Sequence, residues 1–167
     1  MTADFSAFPT FASLVDDNDL ENVLHGATDA EIVAIENKIG LSLPLSYKNL
    51  LKASRGFWLM GGSIQFDTQH PFFHAFPHLN QLSQAQQAVV SKKGGAWPPP
   101  SNGMLCFAEF FMEADGDQVL FDVSQGLVNG EYPIVYYAHS ARPTSTRVLA
   151  NSFEQFMNEF LTYPEFS

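Results

Sequence analysis

The sequence predicts an α+β fold in which helices pack on a largely antiparallel sheet. Three observations carry that prediction. Two capped helical patterns stand side by side in the first third of the chain, and another lies near its end. A strand-rich block between them is punctuated by Asp115-Gly116 and Asn129-Gly130. These connections are too short for the crossovers that a parallel sheet requires. At 167 residues the chain is long enough for one good core, and length favours a single domain.

The first firmly punctuated helix opens at Thr28. Its hydroxyl caps the helix while Glu31 reaches back to complete a capping box, and Ile32, Ile35 and Ile39 share one face until Gly40. Pro44 suits the first turn of a second helix, in which Tyr47, Leu50 and Leu51 follow at one-face spacing. Gly56 is expected to end this helix in a left-handed cap. The two helices meet at Leu41 to Pro44. Ahead of them, the apolar pieces Phe11–Val15 and Leu20–Leu24 flank the acidic cluster Asp16, Asp17 and Asp19 and carry no decisive periodicity.

Ser63 to Phe66 predicts a short strand bounded by Gly61-Gly62 and Asp67. The stretch from His70 to His78 holds Pro71 and Pro77 and predicts a loop. From Leu79 to Val90, with Leu82, Ala85 and Val89 on one side, the pattern predicts a further helix broken by Gly94-Gly95. Trp97 to Gly103 is a stiff connection too short to separate domains. Met104–Met112, Gln118–Val123 and Tyr132–Ala138 are rich in Phe, Val, Ile and Tyr and predict a meander of strands. In the last helix Ser152 and Gln155 offer a capping box, Phe153, Phe156, Met157, Phe160 and Leu161 form a stripe, and Pro164 is the stop. No internal repeat is visible.

Composition excludes several functions. Hydrophobic residues make up 46% and charged residues 16%, the latter below the roughly 25% of a typical soluble domain, so charge-driven disorder is excluded. The 16 Phe supply apolar area without a polar handle and belong mainly to the core. With 8 Lys and Arg against 18 Asp and Glu, the formal charge of −10 repels phosphate backbones; the chain is expected to bind a basic protein and no nucleic acid. Cys106, the single cysteine, sits in the apolar run Met104 to Phe107, cannot form an intramolecular disulfide and suits a reducing compartment. The first residues lack a basic, then apolar, leader, and no run reaches the 18 or so apolar residues of a membrane span. A cytoplasmic location without membrane attachment is expected.

Catalytic and cofactor chemistry finds little support. His70, His74 and His78 recur at the spacing of metal ligands on a helix, but Pro71 and Pro77 spoil that geometry, so no metal site is expected. There is no Gly-x-Ser-x-Gly elbow, and the Gly pairs lack the Gly-Lys-Ser/Thr ending of a phosphate loop. Asp115-Gly116-Asp117 lacks the later ligands of a calcium loop, including the terminal Glu. Glu109 and Glu113, four apart on a strand, would stand roughly 13 Å apart, too far for a catalytic pair. No catalytic residue and no cofactor are expected.

Charge is unevenly distributed. From Asp16 to Glu36 the acids are Asp16, Asp17, Asp19, Glu21, Asp29, Glu31 and Glu36, with no Lys or Arg among them. From Glu109 to Glu131 they are Glu109, Glu113, Asp115, Asp117, Asp122 and Glu131, again without a base. Between these runs lie Lys38, Lys48, Lys52, Arg55, Lys92 and Lys93, with Asp67 as the sole acid. Such runs are either solvated surface or faces that steer a basic protein partner.

The paired helices also carry a family pattern. Thr28 to Ile32, Glu36, Ile39-Gly40, Leu43-Pro44, Tyr47, Leu50-Leu51 and Gly56 resemble the SUKH superfamily, whose members include the fungal Smi/Knr-type cell-wall synthesis regulators. Gly116-Asp117, Phe121-Asp122, Tyr132 to Val135 and the Ser152-Phe153-x-x-Phe156 helix look like the rest of that domain, and Arg55 stands where the pattern has Asn. The likeness spans about residues 28 to 163. It implies a SUKH-like single domain over 28–167, with residues 1–27 an N-terminal extension packed on it.

For function the resemblance implies binding instead of catalysis. Compact bacterial members look like immunity proteins that neutralise toxins, often nucleases; the fungal members suggest a regulatory or scaffolding module for an endogenous partner. Glu36, Leu43, Pro44, Tyr47, Gly56 and Gly116 are the signature residues, expected to be scaffold. The partner-binding face is expected around the hairpin, from Glu109, Glu113, Asp115, Asp117 and Asp122, with Trp58 either an aromatic anchor or a core residue.

Overall fold

The computed structural model describes residues 3–59, 64–67, 104–110, 118–138 and 145–163. They form an α+β architecture in which seven strands make one sheet in strict chain order, every neighbouring pair antiparallel. The helices are α1 (Pro9–Leu14), α2 (Asp29–Ile39), α3 (Leu45–Ala53) and α4 (Phe153–Glu159). The strands are β1 (Leu20–Glu21), β2 (Gly56–Leu59), β3 (Ile64–Asp67), β4 (Met104–Phe110), β5 (Gln118–Asp122), β6 (Ile134–Ala138) and β7 (Ser145–Ala150). The predicted histidine-bearing loop, the helix over Leu79–Val90, the connection Trp97–Gly103 and the Asp115-Gly116 turn lie outside the described residues.

Local chemistry places α2 where the sequence does. The Thr28 hydroxyl accepts from the Glu31 N–H (3.2 Å), a Glu31 carboxylate oxygen accepts from the Thr28 N–H (2.8 Å), and Gly40 closes the helix at φ 71°. The second helix differs at both ends. Pro44 is the residue before its first turn, and Gly56 does not cap it: the helix stops at Ala53 and Gly56 begins β2, paired with Asp67. Ser54 replaces the expected glycine cap. Its buried hydroxyl shares a proton between the carbonyls of Leu24 (2.8 Å) and Gly56 (2.7 Å) and accepts from the Gly56 N–H (3.2 Å), turning the chain directly into a strand.

Only half of the expected box forms at α4. The Ser152 hydroxyl accepts from the Gln155 N–H (3.1 Å), but the Gln155 amide oxygen accepts from Asn151 (3.0 Å) instead of Ser152. The α-helix ends at Glu159 and a 3-10 turn, Phe160–Thr162, carries Leu161. β6 begins two residues later than expected, because Asn129 (φ 53°) and Gly130 (φ 78°) make a tight turn closed by the Val128–Glu131 bridge before Tyr132. The strands β1, β2 and β7 add to those the sequence predicts.

The core lies between the sheet and the helices. Phe57, Leu105, Phe107, Phe121 and Ile134 from the strands meet Tyr47, Leu50, Phe153, Phe156 and Phe160 from the helical side. A bulge on β4 helps fill it: Cys106 pairs with Leu120 and Ala108 with Val119, so Phe107 is an extra residue, and its ring stacks on Phe121 at 4.3 Å. Leu120, between Val119 and Phe121, falls on the opposite face, where Met104, Val135 and Tyr137 are also buried. Glu131 ties the layers together, one carboxylate oxygen accepting from the Ser46 N–H (3.3 Å) and the other from the Phe153 N–H (3.5 Å), at the starts of α3 and α4.

Candidate functional site

The sheet begins at an acidic edge. A 3-10 turn, Asp17–Asp19, leads into β1; the Asp16 carboxylate accepts from Asn18 N–H (2.7 Å), and the Asp19 carboxylate accepts from Asp16 N–H (2.9 Å). These bonds fix the turn with Asp16 and Asp17 exposed and Asp19 half-buried. The β1–β2 register then sets Leu20 against Leu59, toward the core, and Glu21 against Trp58, on the opposite side. Trp58 lies between the buried Phe57 and Leu59 and is 38% exposed, so strand alternation resolves it as a surface aromatic. Among the described residues, no Lys or Arg lies within ion-pair distance of Asp16, Asp17, Asp19 or Glu21.

The rest of the first acidic run behaves differently. Across the α2–α3 contact, Asp29 meets Lys52 at 3.1 Å, Glu31 meets Arg55 at 3.7 Å and Glu36 meets Lys48 at 2.8 Å. Glu36 also accepts from the Leu43 N–H (2.7 Å), holding the connection between the helices. Hydrogen bonds from the backbone and then the hydroxyl of Thr28 hold the Glu31 carboxyl below its usual range, with Arg55 adding to them. What the sequence presents as one run of acids is therefore an edge without described basic partners followed by a set of helix staples.

Two other expected partner-binding residues, Glu109 and Asp122, stand far apart. Glu109 shares a register row with Trp58, each pairing with Gln65 on β3. Asp122 lies at the far end of β5, opposite Met104, five β4 positions or roughly 17 Å from Glu109. Its carboxylate accepts from the Ser124 N–H (3.0 Å) and hydroxyl (2.6 Å), closing a local turn. Glu113, Asp115, Gly116 and Asp117 lie outside the described residues, as do His70, His74 and His78.

The remaining signature positions sit in the scaffold. Leu43 and Tyr47 are each 2% exposed, and the Tyr47 ring meets Phe121 and Phe153 edge-on at 5.1 and 5.0 Å. The Tyr132 hydroxyl donates to Ser42 O (2.8 Å), and burial, then the nearby Glu36 charge, push its pKa up. Two features of the site have no signal in the sequence. Glu131 as a shared helix cap shows no local motif, and the unbroken apolar run Phe57-Trp58-Leu59 carries no alternation that would set Trp58 beside Glu21.

No helix among the described residues is long and apolar enough to cross a membrane, and no three described His, Cys, Asp or Glu residues converge as metal ligands. No individual curated protein gives a significant match. The SMI1 / KNR4 family (SUKH-1), by contrast, matches residues 26–159, from the segment before α2 to the end of α4, and with well over half of its length covered the chain belongs to that family.

Proposed function

We propose that this protein is an immunity protein of the SUKH type, a protein-binding domain acting in the cytoplasm that neutralises a basic toxin domain, by preference a nuclease. The carrying observation is the acidic edge, where Asp16, Asp17, Asp19 and Glu21 have no described basic partners and Glu21 pairs with the exposed Trp58. A nuclease grips phosphates with cationic side chains, so an inhibitor of charge −10 is steered to its active site and occludes it. Glu109, in the register row of Trp58, is proposed to extend this face, together with Glu113, Asp115 and Asp117. Binding, not turnover, is the activity.

The test is co-expression with the terminal domain of a secreted toxin encoded beside it. Rescue of growth together with a purified one-to-one complex supports the proposal; neither rescue nor complex sinks it. Family membership favours a second reading, a regulatory or scaffolding module for an endogenous partner of the Smi/Knr cell-wall type. Recovery of a constitutive partner from unchallenged cells, with no toxin nearby in the genome, would select it.

A further inference from the structure

A groove of about 660 Å³ follows the acidic edge along the chain, between the N-terminal segment and residues 23–26, with the last turns of α3 as its floor. The segment forming one wall is pressed against α3 so closely that a Cβ at Gly26 would collide with the carbonyl oxygen of Lys52. Its inner hydrogen-bonding edge is consumed. Leu24 N–H donates to Gly56 O (2.8 Å), Ala27 N–H donates to Leu51 O (2.7 Å), and His25 O accepts from both the backbone N–H and Nε of Arg55 (3.1 Å each). The outer edge is open: among the described residues, the Val23 N–H and C=O and the His25 N–H have no partner.

We propose that this groove receives an extended, basic segment of the protein partner, which adds as a strand to the outer edge of Val23–Gly26. The proposal rests on the reading of the chain as a protein-binding domain and names a second contact for it. Main-chain groups supply the pairing, as in other cases of strand addition to an open edge. Charge selects the occupant. Asp4 on the facing wall is kept ionised by hydrogen bonds from the hydroxyl and backbone N–H of Ser6, while the Lys52 ammonium on the floor is held by Asp29 at 3.1 Å. The groove therefore presents an ionised carboxylate without a described basic partner, and a lysine already paired with Asp29, to the incoming strand. Val23, 39% exposed, offers an apolar contact for alternate side chains.

The experiment titrates the full chain, labelled with nitrogen-15, with the peptide Ac-Lys-Val-Arg-Val-Lys-Val-NH2. Shift changes centred on Val23, His25 and Asp4, slowed exchange of the Val23 and His25 amides, and weakening by about tenfold or more when alternate peptide nitrogens are methylated would support the site. The Glu-for-Lys/Arg peptide should not bind. Ala7→Trp, at an exposed position on the N-terminal wall, should abolish peptide binding with an unchanged melting temperature. Equal binding of the methylated peptide, or shifts confined to Asp16–Glu21 and Trp58, overturns the groove. A toxin complex insensitive to Ala7→Trp would also overturn the groove while leaving the immunity reading intact; peptide binding in the groove without any toxin complex would do the reverse.

Discussion

The N-terminal segment and α2 are neighbours in the chain but are attached by opposite means. Phe5, Phe8 and Phe11 precede the region matched to the family, yet all three are buried, Phe5 meeting Phe57 at 5.2 Å, Phe8 meeting Phe153 at 5.8 Å and Phe11 stacking on Phe160 at 5.9 Å. α2 lies inside the match, yet Ile32 is its one fully buried side chain among those described, and ion pairs to Lys48, Lys52 and Arg55 hold it to the body. The buried core therefore takes in residues that precede the family match. Apolar anchorage is insensitive to pH and salt, whereas attachment by exposed charges is sensitive to both.

The hardest blow to this contrast is Phe11→Ala. Phe11 is fully buried against Phe5, Phe57 and Phe160, so truncation should cost about 3–5 kcal/mol in denaturant unfolding. A loss under about 1 kcal/mol would make the N-terminal segment an appendage and break the comparison. Glu36→Ala should come next, at about 1–3 kcal/mol, because it orphans the Leu43 N–H and releases Lys48. Glu36→Gln, which keeps an acceptor for Leu43, should recover part of that loss.

Titration separates the regions more finely. Glu31 is held below its ordinary 4.5 in the folded state, so its contribution is present above that pH and is lost as pH falls through the folded value. Amide exchange in the first turn of α2 should rise on acidification before exchange around Phe8 and Phe11 does. The sign reverses at the other extreme. Burial, then the hydrogen bond to Glu159, push Tyr163 from 10.0 up to about 12; its contribution is complete below pH 10 and is lost between pH 10 and 12. Alkaline melting curves should show that loss, and Tyr163→Phe should remove it.

Legibility followed the range of the interactions. The Thr28–Glu31 box and the Asn129-Gly130 turn are decided within a few residues, and both stood in the sequence. β2 did not, because Gly56 has the look of a helix terminator and only the contact of Ser54 with Leu24, thirty residues away, turns it into a strand. β7, with polar Ser145, Thr146 and Arg147, gains its strand character from pairing with β6. The division of the acids was equally hidden, since Asp29, Glu31 and Glu36 acquire their partners only when α2 lies against α3. Phe5 and Phe8 lie ahead of α1 in a turn closed by the Phe8 N–H on Phe5 O, so their burial beside Phe11 follows from tertiary packing and not from a local periodicity.

The smallest effect on stability falls on the acids of the edge, and there it is the most informative. Asp16 and Asp19 cap their own turn, so reversing them would confuse folding with binding; Asp17 and Glu21 have no such bonds. The double variant Asp17→Lys with Glu21→Lys should shift unfolding free energy by less than about 0.5 kcal/mol, the usual range for exposed sites. If the edge is the face that meets a basic toxin, the same variant should slow association by about tenfold at low salt and flatten its salt dependence, with a smaller change in dissociation. Asp29→Lys is the matched control. It places a like charge against Lys52, so it should loosen α2 measurably while leaving the association rate closer to that of the parent. Equal slowing by both variants would mean that the protein's total charge, and not the edge beside Trp58, does the steering.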